Sequence, residues 1–304
     1  MAKDSELTKV ALVKSNTRRE ALRRSIELLK INPVKGKDVL LKPNFNTADP
    51  YPGSTHPDSL LEMIVYLKEM GARKITIGER SGPVDSAEVM ETLGVNRMAE
   101  ELGVEVVNFD QLKTEELVRV DPPGSHWRKG FLVPRMIKEA QCVVTMPCLK
   151  THQFGGIFTM SLKLGVGIVP KSGNDYMGEL HSSPHMGKMI AEVNAGYEPD
   201  LIVMDGMEAF VEQGPMTGKR KPAGLFLAGT DRIAIDAVGI AILKELGSTP
   251  EIMNAPIFKQ EQISRAVELG LGIDSAEKIE LVTGDEASAA YAEKIRSILE
   301  PPRI

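Results

Sequence analysis

The stretch Cys142-Val143-Val144-Thr145-Met146-Pro147-Cys148-Leu149-Lys150-Thr151-His152 decides how the rest of the chain is read. Its first half is a short apolar run without polar alternation, the signature of a strand covered by other elements on both faces. Its second half opens on proline and carries a lysine, a threonine and a histidine. The reading is a strand, Cys142–Met146, that hands over to a polar loop. The same pattern recurs along the chain. Val39–Lys42 leads into Pro43-Asn44-Phe45-Asn46, and Lys74–Gly78 into Glu79-Arg80-Ser81-Gly82. Leu201–Met204 leads into Asp205-Gly206-Met207-Glu208, and Leu225–Ala228 into Gly229-Thr230-Asp231. Further strands are predicted at Lys9–Val13, Val104–Val107 and Ile279–Val282.

Helical patterns separate these runs. Thr17 caps a helix running to Lys30. Pro57 occupies a first helical position ahead of a helix that stops at Gly71. Thr230 or Asp231 opens a long apolar helix, and two more are expected at Ala255–Leu269 and Glu286–Leu299. Pro184 breaks any continuous helix through His181 and His185. The alternation implies an α/β fold with a largely parallel or mixed sheet covered by helices on both faces. The 304 residues are read as one unit, with two lobes, 1–145 and 146–304, around a cleft as the expected subdivision. The stretch from Met146 to Tyr197 is the least regular. A long irregular stretch inside a compact domain usually carries function.

Composition narrows the classes. Hydrophobic residues make up 42% and charged residues 26%, an ordinary globular mix. The net charge of −5 argues against a broadly basic nucleic-acid surface. No run approaches the roughly 20 apolar residues that cross a bilayer, and the first residues do not read as a signal peptide. The expectation is a cytoplasmic protein with no nucleic-acid or membrane partner. Two cysteines, Cys142 and Cys148, cannot supply the four thiolates of an iron–sulfur cluster or a four-cysteine zinc site.

Ligands of open α/β sheets sit beyond the carboxyl ends of the strands, so the loops named above are where chemistry is sought. Lys42 and Lys150 each directly follow an apolar strand, and Lys163 lies near a further turning point. A lysine there can hold a carboxylate or phosphate. If desolvated, it can act as a base or form an imine. Of the five histidines, His152 follows a strand end, and His181 and His185 form a His-Ser-Ser-Pro-His segment, a spacing compatible with a divalent metal. Asp205 ends a strand, and Asp236 lies inside an apolar helix, where a buried carboxylate needs a partner or a raised pKa. The expected catalytic set is Lys150, His152, Lys163 and Asp205. The expected binding set is Lys42, Asn44, His56, Ser81 and Asp236. Lys171 reads as a solvated surface lysine. The run Gly165-Val166-Gly167-Ile168-Val169-Pro170-Lys171-Ser172-Gly173 is a candidate anion-binding turn. It is not a Walker loop, and neither a dinucleotide fingerprint, a Gly-x-Ser-x-Gly elbow nor a His-Glu-x-x-His motif occurs.

Taken together, Lys42-Pro43-Asn44, Thr55-His56-Pro57, Gly71-Ala72, Gly78-Glu79-Arg80-Ser81-Gly82, Pro147-Cys148-Leu149-Lys150-Thr151-His152, Ser161-Leu162-Lys163, Asp205-Gly206, Gly214-Pro215 and Asp231-Arg232-Ile233-Ala234-Ile235-Asp236-Ala237 resemble the family called domain of unknown function 362. The resemblance runs from about Lys37 to Leu246. Many members add a ferredoxin-like cysteine segment, which this chain lacks. An iron–sulfur function is therefore not carried over. A looser likeness is to the nickel-dependent lactate racemase group, whose lysine, proline turn and histidine have the order of Lys163, Pro170 and His181. Three functional expectations result. The first is an enzyme acting on a small anionic metabolite, with Lys42, Lys150 and Lys163 holding the anion and His152 or His181 moving a proton. The second is a non-catalytic maturation protein that binds a metal or a redox protein partner. The third and weakest is a racemase-like nickel enzyme. The sequence leaves the cofactor unassigned.

Overall fold

A computed structural model describes residues 7–171 and 175–300. Twelve strands occur among them: β1 (Thr8–Lys14), β2 (Asp38–Lys42), β3 (Lys74–Glu79), β4 (Glu105–Asn108), β5 (Leu117–Val120), β6 (Phe131–Pro134), β7 (Cys142–Thr145), β8 (Cys148–His152), β9 (Ile157–Phe158), β10 (Leu201–Gln213), β11 (Gly218–Gly229) and β12 (Ile279–Val282). The main sheet has the order β12-β1-β11-β10-β7-β2-β3-β4, while β5 and β6 form a separate antiparallel pair. Strands β10, β7, β2, β3 and β4 run parallel to one another. The sheet is mixed because β10 and β11 form a long antiparallel hairpin and β11 also lies antiparallel to β1.

The continuous apolar strands have a direct cause. Alternate residues of one strand face opposite sides, and each side is covered. Val10 and Leu12 belong to the core around the helix Arg232–Leu246. Ala11 and Val13 belong to the core under the helices Arg18–Leu28 and Pro57–Glu69. Likewise, Val39 and Leu41 point into that second core, while Leu40 points into a third that holds Trp127, Tyr176 and Ile190. With no solvated face, neither side of these strands selects polar residues. All eight strands expected from the sequence are present within a residue or two, apart from the far ends of β10 and β11.

The structure departs from the sequence reading in three places. Residues 148–152 form a strand, β8, rather than a loop. β10 is long enough to pair with β7 at Leu201 and Ile202 and then with β8 at Asp205 and Phe210, so β7 and β8 lie in succession along one strand with Pro147 as the interruption. The helix expected over Ala255–Leu269 starts only at Glu261 and runs to Glu268, preceded by a 3-10 turn at Ile257–Lys259 and by a separate short helix, Pro250–Asn254. Pro256 lacks an N–H and pushes Ala255 out of helical backbone geometry. The stretch 146–197 is more regular than expected. Besides β8 and β9 it holds the short helices Ser161–Leu164, Tyr176–Ser182 and Met186–Val193. The gap between the last two falls at Pro184, as the sequence implies. Ser172 and Gly173 of the glycine-rich run lie outside the described residues. No helix among those described is long and apolar enough to cross a membrane.

Candidate functional site

The carboxyl ends of β2 and β3, the end of β8, the helix Ser161–Leu164 and the helix Tyr176–Ser182 surround a cleft of about 590 Å³. Arg80, His152, Lys163, Lys171 and His181 supply its cationic and imidazole groups, and Phe154, Val166, Met177 and Met216 supply apolar wall. A smaller inner chamber of about 50 Å³ is lined by Lys42, Asn44, Glu79 and Thr159. Asn46, Arg80, Lys163, Val166 and Pro215 line both spaces. Lys163 and Arg80 therefore stand at the neck between them.

The cations differ in how far they are neutralised. Lys42 is buried and paired with buried Glu79, whose carboxylate also accepts from the backbone N–H groups of Phe45 (3.0 Å) and Arg80 (2.8 Å). Burial pushes the Lys42 ammonium down and the Glu79 carboxyl up, and each group's attraction to the other opposes the shift. Lys171 is paired with Asp110 at 3.1 Å. Lys150 is buried behind the cleft and lines neither chamber. Its Nζ donates to the Gly53 carbonyl at 2.6 Å, and burial lowers its pKa to about 8.

Arg80 and Lys163 are the cleft cations with no ion pair among the described residues, although the charges of Asp110 and Glu79 reach Arg80. Arg80 is buried, with Nε donating to the Val169 carbonyl at 2.6 Å and Nη1 to the Ser81 carbonyl at 3.1 Å, while Nη2 has no hydrogen-bond partner among the described residues. Among the described residues no carboxylate or hydrogen-bond acceptor is paired with Lys163. Desolvation first, then the charges of Arg80 and Lys150, lowers its pKa to about 8. At the same neck, His152 Nδ1 accepts from the Gly156 N–H at 3.2 Å, which places the ring proton on Nε2. Burial and the charges of Lys163, His181 and Lys150 lower the His152 pKa to about 2, so this imidazole is neutral. Gly156 permits the arrangement. A Cβ there would fall 2.8 Å from His152 Nδ1 and 2.9 Å from Lys163 Cε.

Lys163 is held in place from behind. Asp236, fully buried, accepts from the N–H groups of Ser161 (2.6 Å) and Leu162 (2.9 Å) and so caps the short helix that carries Lys163. Asn194 Nδ2 donates to the Leu162 carbonyl at 2.8 Å. The burial of Asp236 outweighs those two N–H bonds and the nearby Arg232, raising its pKa to about 7.

The residues expected from the sequence are thus brought together in part. Lys42, Asn44, His152, Lys163 and His181 line the two chambers. Lys150 and Asp236 lie directly behind them. Ser81 is buried beside Arg80 with its hydroxyl unpartnered. Asp205 is elsewhere: its carboxylate is bonded to Arg18, to Tyr51 Oη (2.7 Å), to Ser59 Oγ (2.6 Å) and to the Met207 N–H (3.0 Å). His56 caps the helix Pro57–Glu69 through Asp58 and borders a separate hollow with Arg18 and Tyr51. His181 and His185 do not converge, since His185 packs against His126 with ring centroids 4.6 Å apart. No group of three or more His, Cys, Asp or Glu poised for a metal occurs among the described residues. Pro170 does not line the cleft that Lys163 and His181 share. Cys142 and Cys148 are buried free thiols, pushed up to about 12 and about 11 by burial. Sequence reading passed over Arg80; Lys171, read as a surface lysine, keeps its side chain 32% exposed at the edge of the cleft. Arg80 could have been found, because it follows the end of β3 as Lys42 ends β2.

The family model described as Domain of unknown function (DUF362) matches residues 39–241. A thylakoid-associated protein of Synechocystis sp. is 27% identical over 221 residues, covering 69% of this chain and 64% of that protein. The chain thus spans somewhat less than two thirds of that relative's length. The apoprotein of lactate racemase from Thermoanaerobacterium thermosaccharolyticum is similar at a TM-score of 0.46 with 13% identity, over 97% of this chain and 87% of that one.

Proposed function

From the premise that this chain belongs to the DUF362 family, we propose that it is an enzyme that binds a small organic anion in the cleft and exchanges a proton with it. One observation carries the reading: buried Arg80 and half-buried Lys163 line the cleft with no ion pair to either among the described residues. A buried charge left unpaired costs several kcal/mol, and an incoming carboxylate or phosphate removes that cost. Arg80 Nη2 and the Lys163 ammonium are the donors it would meet first, with neutral His152 offering Nε2–H. An amine whose pKa is near 8 is divided between its two protonation states close to neutrality. Lys163 can therefore give up or take a proton at modest cost. The donor set does not fit a metal held by the protein alone: His152, His181 and Asp175 line the cleft, but among the described residues no three such groups converge.

A thermal-shift screen of carboxylates and phosphates tests the reading. A ligand at about 100 times its dissociation constant should stabilise the fold by about 2.7 kcal/mol. Arg80→Met and Lys163→Met should each abolish that gain while still melting cooperatively. A screen without a stabilising anion, or gains that survive in both variants, would contradict it.

A further inference from the structure

We infer that Lys163 is a nucleophile that forms a reversible imine with the carbonyl group of a 2-oxo carboxylic acid bearing an apolar side chain, a substrate class that rests on the anion-binding reading above. Lys42 is held by Glu79, Lys150 by the Gly53 carbonyl and Lys171 by Asp110. Only Lys163 faces both chambers with no partner among the described residues. Its position between Arg80 and Lys150 favours the uncharged amine, as a neighbouring cation does for imine-forming lysines generally.

The shape of the cleft selects the rest of the substrate. An inner chamber of about 50 Å³ holds only about three or four water-sized atoms, at roughly 10–15 Å³ each. It therefore has room for a carboxylate and little more. Lys42 there is held by Glu79, so the carboxylate is placed against Arg80, which lines the chamber with Nη2 unpartnered among the described residues. The carbon next to the carboxylate then lies at the neck, beside Lys163. The remaining volume is walled by Phe154, Val166, Met177 and Met216. A short hydrophilic acid would leave those walls wet, whereas an apolar side chain covers them.

The step balances without an oxidant or reductant. The Nζ lone pair attacks the carbonyl carbon, a C–N bond forms, and the carbonyl oxygen takes a proton to give a carbinolamine. The nitrogen returns one proton to solvent water in place of the one the oxygen took, its remaining proton passes through water to the new hydroxyl, the C–O bond breaks as the nitrogen lone pair closes the C=N bond, and the oxygen leaves as water. His152, with Nδ1 engaged by Gly156, retains Nε2–H to donate to that oxygen.

The test is reductive trapping on the full chain with cyanoborohydride and three probes, glyoxylate, pyruvate and phenylpyruvate, followed by peptide mapping. The expected result is an adduct of the probe's mass less one oxygen on the peptide carrying Lys163. Phenylpyruvate should label most, the matching 2-hydroxy acid should compete, and the label should be lost in Lys163→Arg. The wild-type map stands without the variant if Lys163→Arg fails to fold. Binding of the 2-hydroxy acids with no adduct from any probe would overturn the imine and leave the anion site standing. Label spread over exposed lysines, or undiminished in a folded Lys163→Arg, would also overturn it. If neither oxo nor hydroxy acids bind, the imine falls, and if no other carboxylate or phosphate stabilises the fold either, the anion reading falls as well.

Discussion

Replacing Glu79 by Gln should lower the stability of the protein by about 3–5 kcal/mol, the usual consequence of leaving one member of a buried ion pair without the other. Lys42 is the stranded partner, and both side chains are essentially inaccessible. Glu79 also receives two backbone N–H groups, from Phe45 and Arg80, so it fixes the loops after β2 and β3 relative to each other. The double variant Lys42→Met, Glu79→Gln should recover most of the loss, because the desolvated charge is gone along with its partner. Chemical denaturation of the two single variants and the double variant measures this directly. Equal destabilisation in Glu79→Gln and the double variant would show that the charge pair is not the source of the effect.

A second large effect is expected at Asp236. Asp236→Ala leaves the N–H groups of Ser161 and Leu162 without an acceptor in the interior, at about 1–3 kcal/mol for each. It also frees the short helix that aims Lys163 at the cleft. Asp236→Asn keeps one acceptor oxygen and should fall between wild type and Asp236→Ala. The pH dependence has a definite sign. The folded-state pKa, about 7, lies above the ordinary aspartate value of 3.8, so the native state holds this proton more tightly than the unfolded chain does. The contribution is complete below about pH 4 and is lost as pH rises through about 7. The stability difference between wild type and Asp236→Asn should therefore shift against wild type over that interval. A difference that does not change with pH would show that Asp236 titrates as it does in the unfolded chain.

These residues show what a sequence can and cannot disclose. The strands were legible because Val10–Val13 and Val39–Leu41 are apolar at every position, and only a sheet covered on both faces produces such runs. Strand β8 was hidden because Pro147 and the polar run Lys150-Thr151-His152 are also what a loop contains. Its strand character comes from β10, which extends far enough to pair with it. Within the site, Lys42, His152 and Lys163 were legible from their places near strand ends and turns. The same rule also picked out Asp205. Position along a strand does not show whether a carboxylate is already bonded, and Asp205 has Arg18, Tyr51 and Ser59 around it, contributed by segments far away in the chain. Arg80 shows the converse, since its free Nη2 is evident only once Val169 and Ser81 are seen to occupy the rest of the guanidinium.

The surplus positive charge at the neck of the cleft can be measured by titrating the best-binding anion calorimetrically at pH 8, in buffers of different ionisation enthalpy. An anion beside Lys163 stabilises its ammonium and raises a pKa that stands near 8 in the free protein. Binding should therefore take up a fraction of a proton at pH 8 and almost none at pH 6, and the uptake should vanish in Lys163→Met. Binding without proton uptake at pH 8, or uptake that persists in Lys163→Met, would contradict the assignment of Lys163 to the anion site.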